Sequence, residues 1–207
     1  MGRRSRYDEA DILEGAKHVS AALGPQKLTI ARVAARTGVP VGSIYHRYTS
    51  RDEILAAVWL DLAEEFQGRW LAALAAQDAM KAGVAAIRYG CRWIREHPRE
   101  ARLLLLHRRE DFAAERWPAS YRRRADQLAH DAVAALMGYA ARLTGRTGRT
   151  DLRLVRFALV DVPTAALRCD VESGETPSNE TEQLLVGTGA YVLRRAARTA
   201  VTRRTRR

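Results

Sequence analysis

The sequence predicts an all-α protein, and three observations carry that expectation. Apolar residues recur at three- and four-residue spacing through long stretches rich in Ala, Leu, Arg and Glu. Alternating β-branched runs bounded by turns are absent. The breaks between helical stretches fall on Gly and Pro, as in "GP" at 24–25, "TGVP" at 37–40, "EHP" at 96–98, "RWP" at 116–118 and "TGRTG" at 144–148. With 207 residues, 47% hydrophobic and 29% charged, the chain can close one sizeable core or two small ones. No apolar run approaches the roughly 18 residues of a membrane span, and the opening "MGRRSRYDEADIL" lacks the apolar centre of a signal peptide. A cytoplasmic protein with no membrane partner is expected.

The elements can be justified in order. Ile12, Ala16, Val19 and Leu23 share one face of a first helix, which Gly24-Pro25 ends. The Thr29 hydroxyl can cap a second helix that runs to about Thr37 and buries Ile30, Val33 and Ala34. Gly38 can take the positive φ of a sharp exit, Val39 plugs the corner, and Pro40 suits a first helical turn because its missing N–H would be unpaired there. A third helix from near Pro40 would hold Ile44 in the core and turn Val41, Gly42, Ser43, Tyr45 and His46 outward. Two short helices joined by so tight a turn form a helix-turn-helix, and its second helix fits the B-DNA major groove.

Charge agrees with that reading. The net charge of +11 is concentrated at the ends: residues 1–51 sum to +5, residues 194–207 to +7, and the other 142 residues to about −1. A double-stranded DNA partner is implied for the N-terminal region. Gly42, Ser43 and His46 are candidates for base edges, and Val41 for a thymine methyl. Thr29 and Tyr45 offer hydroxyls to phosphate, and Arg47 and Arg51 offer charge at the edges of the same surface. Structural alternatives stay open: Thr29 as a cap alone, Tyr45 as part of the core, Arg51 as a solvated cation. Arg3, Arg4 and Arg6 form a basic arm, and the tail "RRAARTAVTRRTRR" reads as a solvated helix end.

The stretch "LTIARVAARTGVPVGSIYHRYTSRDEIL" resembles the DNA-binding domain of the tetracycline-repressor (TetR) family. Thr29, Ile30, Ala31, Ala34, Gly38, Val39, Gly42, Tyr45, Ser50 and Leu55 carry the likeness. It covers about 28 residues, or some 45 with the first helix, and its combination of spacings is specific. The chain departs from the family's pattern at Pro40 in place of a Ser or Thr cap, at Tyr48 in place of Phe, at Arg51 in place of Lys and at Arg47, where His is frequent. The resemblance implies phosphate contacts by Thr29, Tyr45 and Arg51. It also implies a C-terminal helical domain that binds an effector and dimerises, dividing the chain at residues 1–50 and 51–207.

That body begins with "RDEILAAVWLDLAEEFQGRWLAALAA", an amphipathic helix with Ile54, Val58, Leu62, Phe66 and Trp70 at helical spacing. Helices are expected near 80–96, 99–108 and 118–143. The last two, "DLRLVRFALVDVPTAALRCD" and "TEQLLVGTGAYVLRRAA", flank the acidic "VESGETPSNE". Leu154, Val155, Ala158, Leu159 and Val162 line one, and Leu184, Leu185, Thr188, Gly189, Val192 and Ala196 the other. The resemblance makes this pair half of an intersubunit four-helix bundle in a homodimer; the alternative is that these faces complete the monomer core. Aromatic surface at Trp93, Trp117, Tyr121 and Phe157, with the polar His107 and Asp161 inside apolar stretches, marks candidate effector contacts. Asp161 can equally pair with an Arg or cap the break at Pro163. Cys91 and Cys169 lack disulfide or zinc-ligand spacing, and no nucleophile–base pair or phosphate loop appears, so no metal, cofactor or enzymatic activity is expected.

Taken together these features predict a transcriptional regulator, a repressor released from its operator by a small, largely apolar effector. An effector-independent or activating regulator and a nonspecific DNA architectural protein are the alternatives.

Overall fold

The computed structural model describes residues 8–204, with side chains described through residue 198. Arg3, Arg4, Arg6 and the end of the basic tail lie outside the described residues. Asp8 opens α1 (Glu9–Leu23) with a reciprocal cap: its carboxylate accepts the Glu9 N–H at 2.6 Å, and Asp11 accepts the Asp8 N–H at 3.0 Å. Gly24, at φ 89°, closes α1 through its N–H on the Ser20 carbonyl, and a 3₁₀ turn (Pro25–Lys27) leads on. Thr29 Oγ1 accepts the Arg32 N–H at 3.2 Å and starts α2 (Ile30–Thr37). Gly38 ends α2 in the left-handed region at φ 71°, where a Cβ would cost about 1–2 kcal/mol. The five-residue α3 (Val41–Tyr45) follows, then α4 (Arg51–Leu74), whose Glu53 N–H is accepted by Ser50 Oγ at 3.1 Å.

Contacts divide the chain into two compact units: residues through Ala63 with Arg99–Asp126, and Glu64–Pro98 with Gln127 onward. In the first, Ile12, Leu28, Val33, Ile44, Ile54 and Leu55 are fully buried, each burial stabilising by about 1.5–3 kcal/mol. Lys17 ties α1 to α4 through Asp61 at 2.6 Å; burial pulls its pKa down, but Asp61 and Glu14 outweigh that and leave it raised. The same unit holds α6 (Pro98–Leu106) from Arg99 onward, the 3₁₀ turns Arg109–Phe112 and Ala114–Arg116, and the start of α7 (Ala119–Thr144). Phe112 and Trp117 are buried, and Trp117 Nε1 donates to the Phe112 carbonyl at 2.7 Å. The Arg109 guanidinium lies 5.7 Å and 5.2 Å from the rings of Trp59 and Trp117 and bonds Asp126 at 2.8 Å.

The second unit is built on α5 (Ala79–Glu96), which Asp78 caps by accepting the Lys81 N–H at 3.0 Å. Its partner α10 (Asn179–Arg204) runs against α5 where Gly83 sits. A Cβ on Gly83 would meet Tyr139 Oη at 2.3 Å and Leu193 Cδ1 at 2.7 Å, so glycine permits this approach. Tyr139 is held in place by donating to the Ala79 carbonyl at 2.7 Å. Arg95 bonds the Pro177 carbonyl at 3.1 Å and the Glu182 carboxylate, fixing the loop before α10. Where the sequence predicts one helix, the chain forms α8 (Arg149–Arg156), a π turn (Phe157–Asp161) and α9 (Val162–Glu172). Pro163 is the reason: it offers no N–H to the carbonyl four residues back and its ring would strike it. The chain therefore widens by one residue, and the Val162 N–H bonds the Phe157 carbonyl.

Candidate nucleic-acid interface

Sequence places the reading helix behind Gly38, and the structure turns α3 as the pattern requires. Val39 and Ile44 are buried, while Val41 and Tyr45 are 43% and 53% exposed and Gly42 and His46 also face solvent. Pro40 provides no side-chain cap; its carbonyl accepts the Ser43 and Ile44 N–H groups at 2.9 and 3.2 Å. Ser43 is half-buried, and its carbonyl accepts a guanidinium N–H of the half-buried Arg47 at 3.2 Å. Tyr48 fills the corner behind α3, buried, with its hydroxyl 3.2 Å from Glu9; burial and that carboxylate both push the phenol pKa up. No Cβ-sized obstacle stands within 4 Å of Gly42, so a base or backbone can approach there.

Thr29 is exposed and its oxygen accepts the cap hydrogen bond, which leaves the O–H free to donate. Capping and phosphate contact are therefore compatible. Arg51 differs from a solvated cation. Its guanidinium donates to the carbonyls of Leu28 at 2.7 Å, Gln26 at 2.8 Å and Pro25 at 3.1 Å, and pairs with Asp52 at 2.8 Å. It clamps the start of α4 to the α1–α2 connection. His18 Nδ1 lies 3.4 Å from a nitrogen of Arg36 and 3.2 Å from one of Arg99; guanidiniums only donate, so this nitrogen is the acceptor.

The six expected effector contacts are dispersed. Trp117, Tyr121 and His107 belong to the first unit. Trp117 stacks on Trp59 at 5.6 Å, and burial followed by Glu53 and Glu9 raises the Tyr121 pKa. His107 lies edge-on to Phe112; burial lowers its pKa against the opposing pull of Asp111. In the second unit Trp93 is buried against Phe66 and His97. Phe157 is 46% exposed, and Asp161 is exposed and pairs with Arg156 at 3.1 Å. Cys91 is buried, its thiol pushed up to about 11 by burial, and Cys169 is exposed.

Sequence reasoning singled out neither the large cleft of the second unit nor the residues that make it. It holds about 680 Å³ between α4, α5 and α10 and is lined by Arg69, Lys81, Arg88, Arg92 and Arg194. Ala73, Val84, Tyr89 and Ala190 line its apolar part. The signal was present: Lys81, Ala85, Arg88 and Arg92 follow one helical stripe.

The two C-terminal faces also divide differently from the expectation. Val155, Ala158, Leu159, Leu185 and Ala196 are buried within the unit, and Gly189 faces Ile87, whose Cδ1 would lie 2.3 Å from an added Cβ. Those residues complete the monomer core. What stays exposed is Phe157, Leu184 at 65% and Tyr191 at 62%, with Gly187 and Thr188 beside them on α10.

Residues 12–58 match the family described as bacterial regulatory proteins, tetR family. No protein of curated function matches the chain by sequence. Solved structures match it over most of its length. A TetR-family transcriptional regulator from Streptomyces coelicolor has a TM-score of 0.69 at 17% identity, covering 91% of this chain and 95% of that one. The fatty acid degradation regulator FadR from Bacillus halodurans has a TM-score of 0.68 at 12% identity, covering 90% and 98%. A transcriptional regulator FadR from Bacillus subtilis, in complex with stearoyl-CoA, has a TM-score of 0.64 at 17% identity, covering 92% and 98%. Residues 12–58 thus carry the helix-turn-helix of the tetR-family model, and the fold of the solved regulators extends over nine-tenths of the chain.

Proposed function

We propose that the protein is a sequence-specific DNA-binding repressor, released from its operator by a small effector with a largely apolar body. The observation that carries the reading is α3: Ile44 and Val39 anchor it while Val41, Gly42, Tyr45 and His46 stand in solvent. Residues 1–50 act as the DNA-binding head and 51–207 as the effector-binding and dimerising body. Ser43 and His46 read base edges, Val41 touches a thymine methyl, and Thr29, Tyr45 and Arg47 hold phosphates. Arg51 contributes to DNA binding chiefly by fixing the connection that carries Thr29. A homodimer joined through Phe157, Leu184 and Tyr191 presents two α3 helices to half-sites about 34–36 Å apart.

Release follows from population shift: an effector that favours a different separation of the heads lowers DNA affinity, and DNA lowers effector affinity by the same factor. A neighbour named in complex with stearoyl-CoA supports a body of this fold receiving a ligand with a long apolar part. No described helix is long and apolar enough to cross a membrane; the proposed reading places the protein on DNA in the cytoplasm. The regulator reading assigns no enzymatic reaction.

Selection of bound DNA from a random pool tests the reading. A regulator recovers one sequence family with a specificity ratio of about 10³ or more. Ser43→Ala or His46→Ala then changes the recovered sequence, and Tyr45→Ala weakens all sequences alike. Recovery of unrelated sequences, with affinity set by salt alone, would replace the repressor by an architectural protein.

A further inference from the structure

The cleft in the second unit joins two kinds of surface that seldom meet without a ligand that has both. Arg69, Lys81, Arg88, Arg92 and Arg194 line the cleft, and no carboxylate residue does. Local neutralisation is slight. Lys81 reaches Asp78 at 3.6 Å, and Arg88 reaches Glu182 only at 3.8 Å, a carboxylate already held by Arg95. Arg92 lies over the Tyr89 ring at 5.9 Å, which tempers its charge without cancelling it. Like charges gathered around one cavity repel, and the low-dielectric wall behind them focuses their field into the opening.

The rest of the lining is largely apolar. Ala73, Val84, Ala85 and Ala190 present methyl groups, and the volume of about 680 Å³ falls within the range of small-molecule sites. Tyr89 also lines the cleft and is 6% exposed.

We propose that this cleft is the effector site and that it takes an amphiphilic organic anion. The head group meets Arg69 and Arg92, and the apolar body lies along Val84 and Ala85. The proposal deepens the effector-released reading above, on which its regulatory meaning rests. Carboxylate and phosphate heads share the required chemistry.

Calorimetric titration of the full chain with dodecanoate, monododecyl phosphate and neutral dodecanol, each below its aggregation concentration, provides the test. One or both anions are expected to bind about tenfold or more tighter than the alcohol, and their relative affinities identify the head group. Arg69→Glu with Arg92→Glu is expected to abolish that preference while leaving the alcohol's affinity unchanged, which also shows that the variant is folded. Equal binding of dodecanol and both anions, no binding of either anion, or an undiminished anion affinity in the double variant overturns the proposal. Operator affinity measured with and without the bound anion separates the two readings: a site that binds without altering DNA affinity stands as a site, and the effector-released repressor falls instead.

Discussion

Arg51 shows how a residue's role can follow from partners far along the chain. Its sequence position beside a helix-turn-helix suggests a phosphate contact, but its donors meet three carbonyls at residues 25, 26 and 28. Arg51→Ala is expected to lower unfolding free energy by about 2 kcal/mol in urea titration, since several carbonyls lose charged donors together. Lysine restores only part of this, because one ammonium cannot reproduce the guanidinium fork. Tyr45→Ala, at an exposed site, is expected to change stability by less than about 0.5 kcal/mol while weakening DNA binding. Equal stability of the two variants would remove Arg51 from the clamp. Gly38, Thr29 and Ile44 were legible in the sequence because a left-handed exit, a cap and a helical periodicity are local. The carbonyl partners of Arg51 lie 23 to 26 residues away, so no local pattern announces them.

Among the elements, α5 is defined by how closely its neighbours approach. Gly83 is a poor helix former, and replacing it with Ala would gain about 1 kcal/mol of propensity. The new methyl would strike Tyr139, whose hydroxyl is committed to the Ala79 carbonyl, and would crowd Leu193 on α10. Overpacking of this kind costs about 1–3 kcal/mol, so Gly83→Ala is expected to be net destabilising by about 1 kcal/mol, seen as a lowered Tm. A raised Tm would show that α10 yields. Helix positions were readable in this stretch: the expected helices at 80–96, 99–108 and 118–143 stand at Ala79–Glu96, Pro98–Leu106 and Ala119–Thr144. The 3₁₀ turns at Arg109–Phe112 and Ala114–Arg116, between two expected helices, were not, because they rest on the burial of Phe112 and Trp117 and the bond between them.

For the whole molecule, the proposed dimer would rest on an apolar stripe that the second unit leaves exposed. Leu184→Glu with Tyr191→Glu places two charges on it and touches none of the buried residues of α10. Light scattering is expected to report a monomer with unchanged helical content, and operator affinity to fall by about 10² or more as the second half-site is lost. A variant that remains a dimer would move the interface elsewhere. The sequence alone determined the all-α class, the helix-turn-helix and the residues that α3 turns outward, because periodicity, caps and a left-handed glycine act within a few residues of one another. Only tertiary structure decided which apolar faces of α8–α10 serve the core and which remain exposed, since both have the same spacing and differ only in what covers them. It also decided that cations from α4, α5 and α10 surround one cleft, because charge acts through space and those helices meet only when the chain has folded.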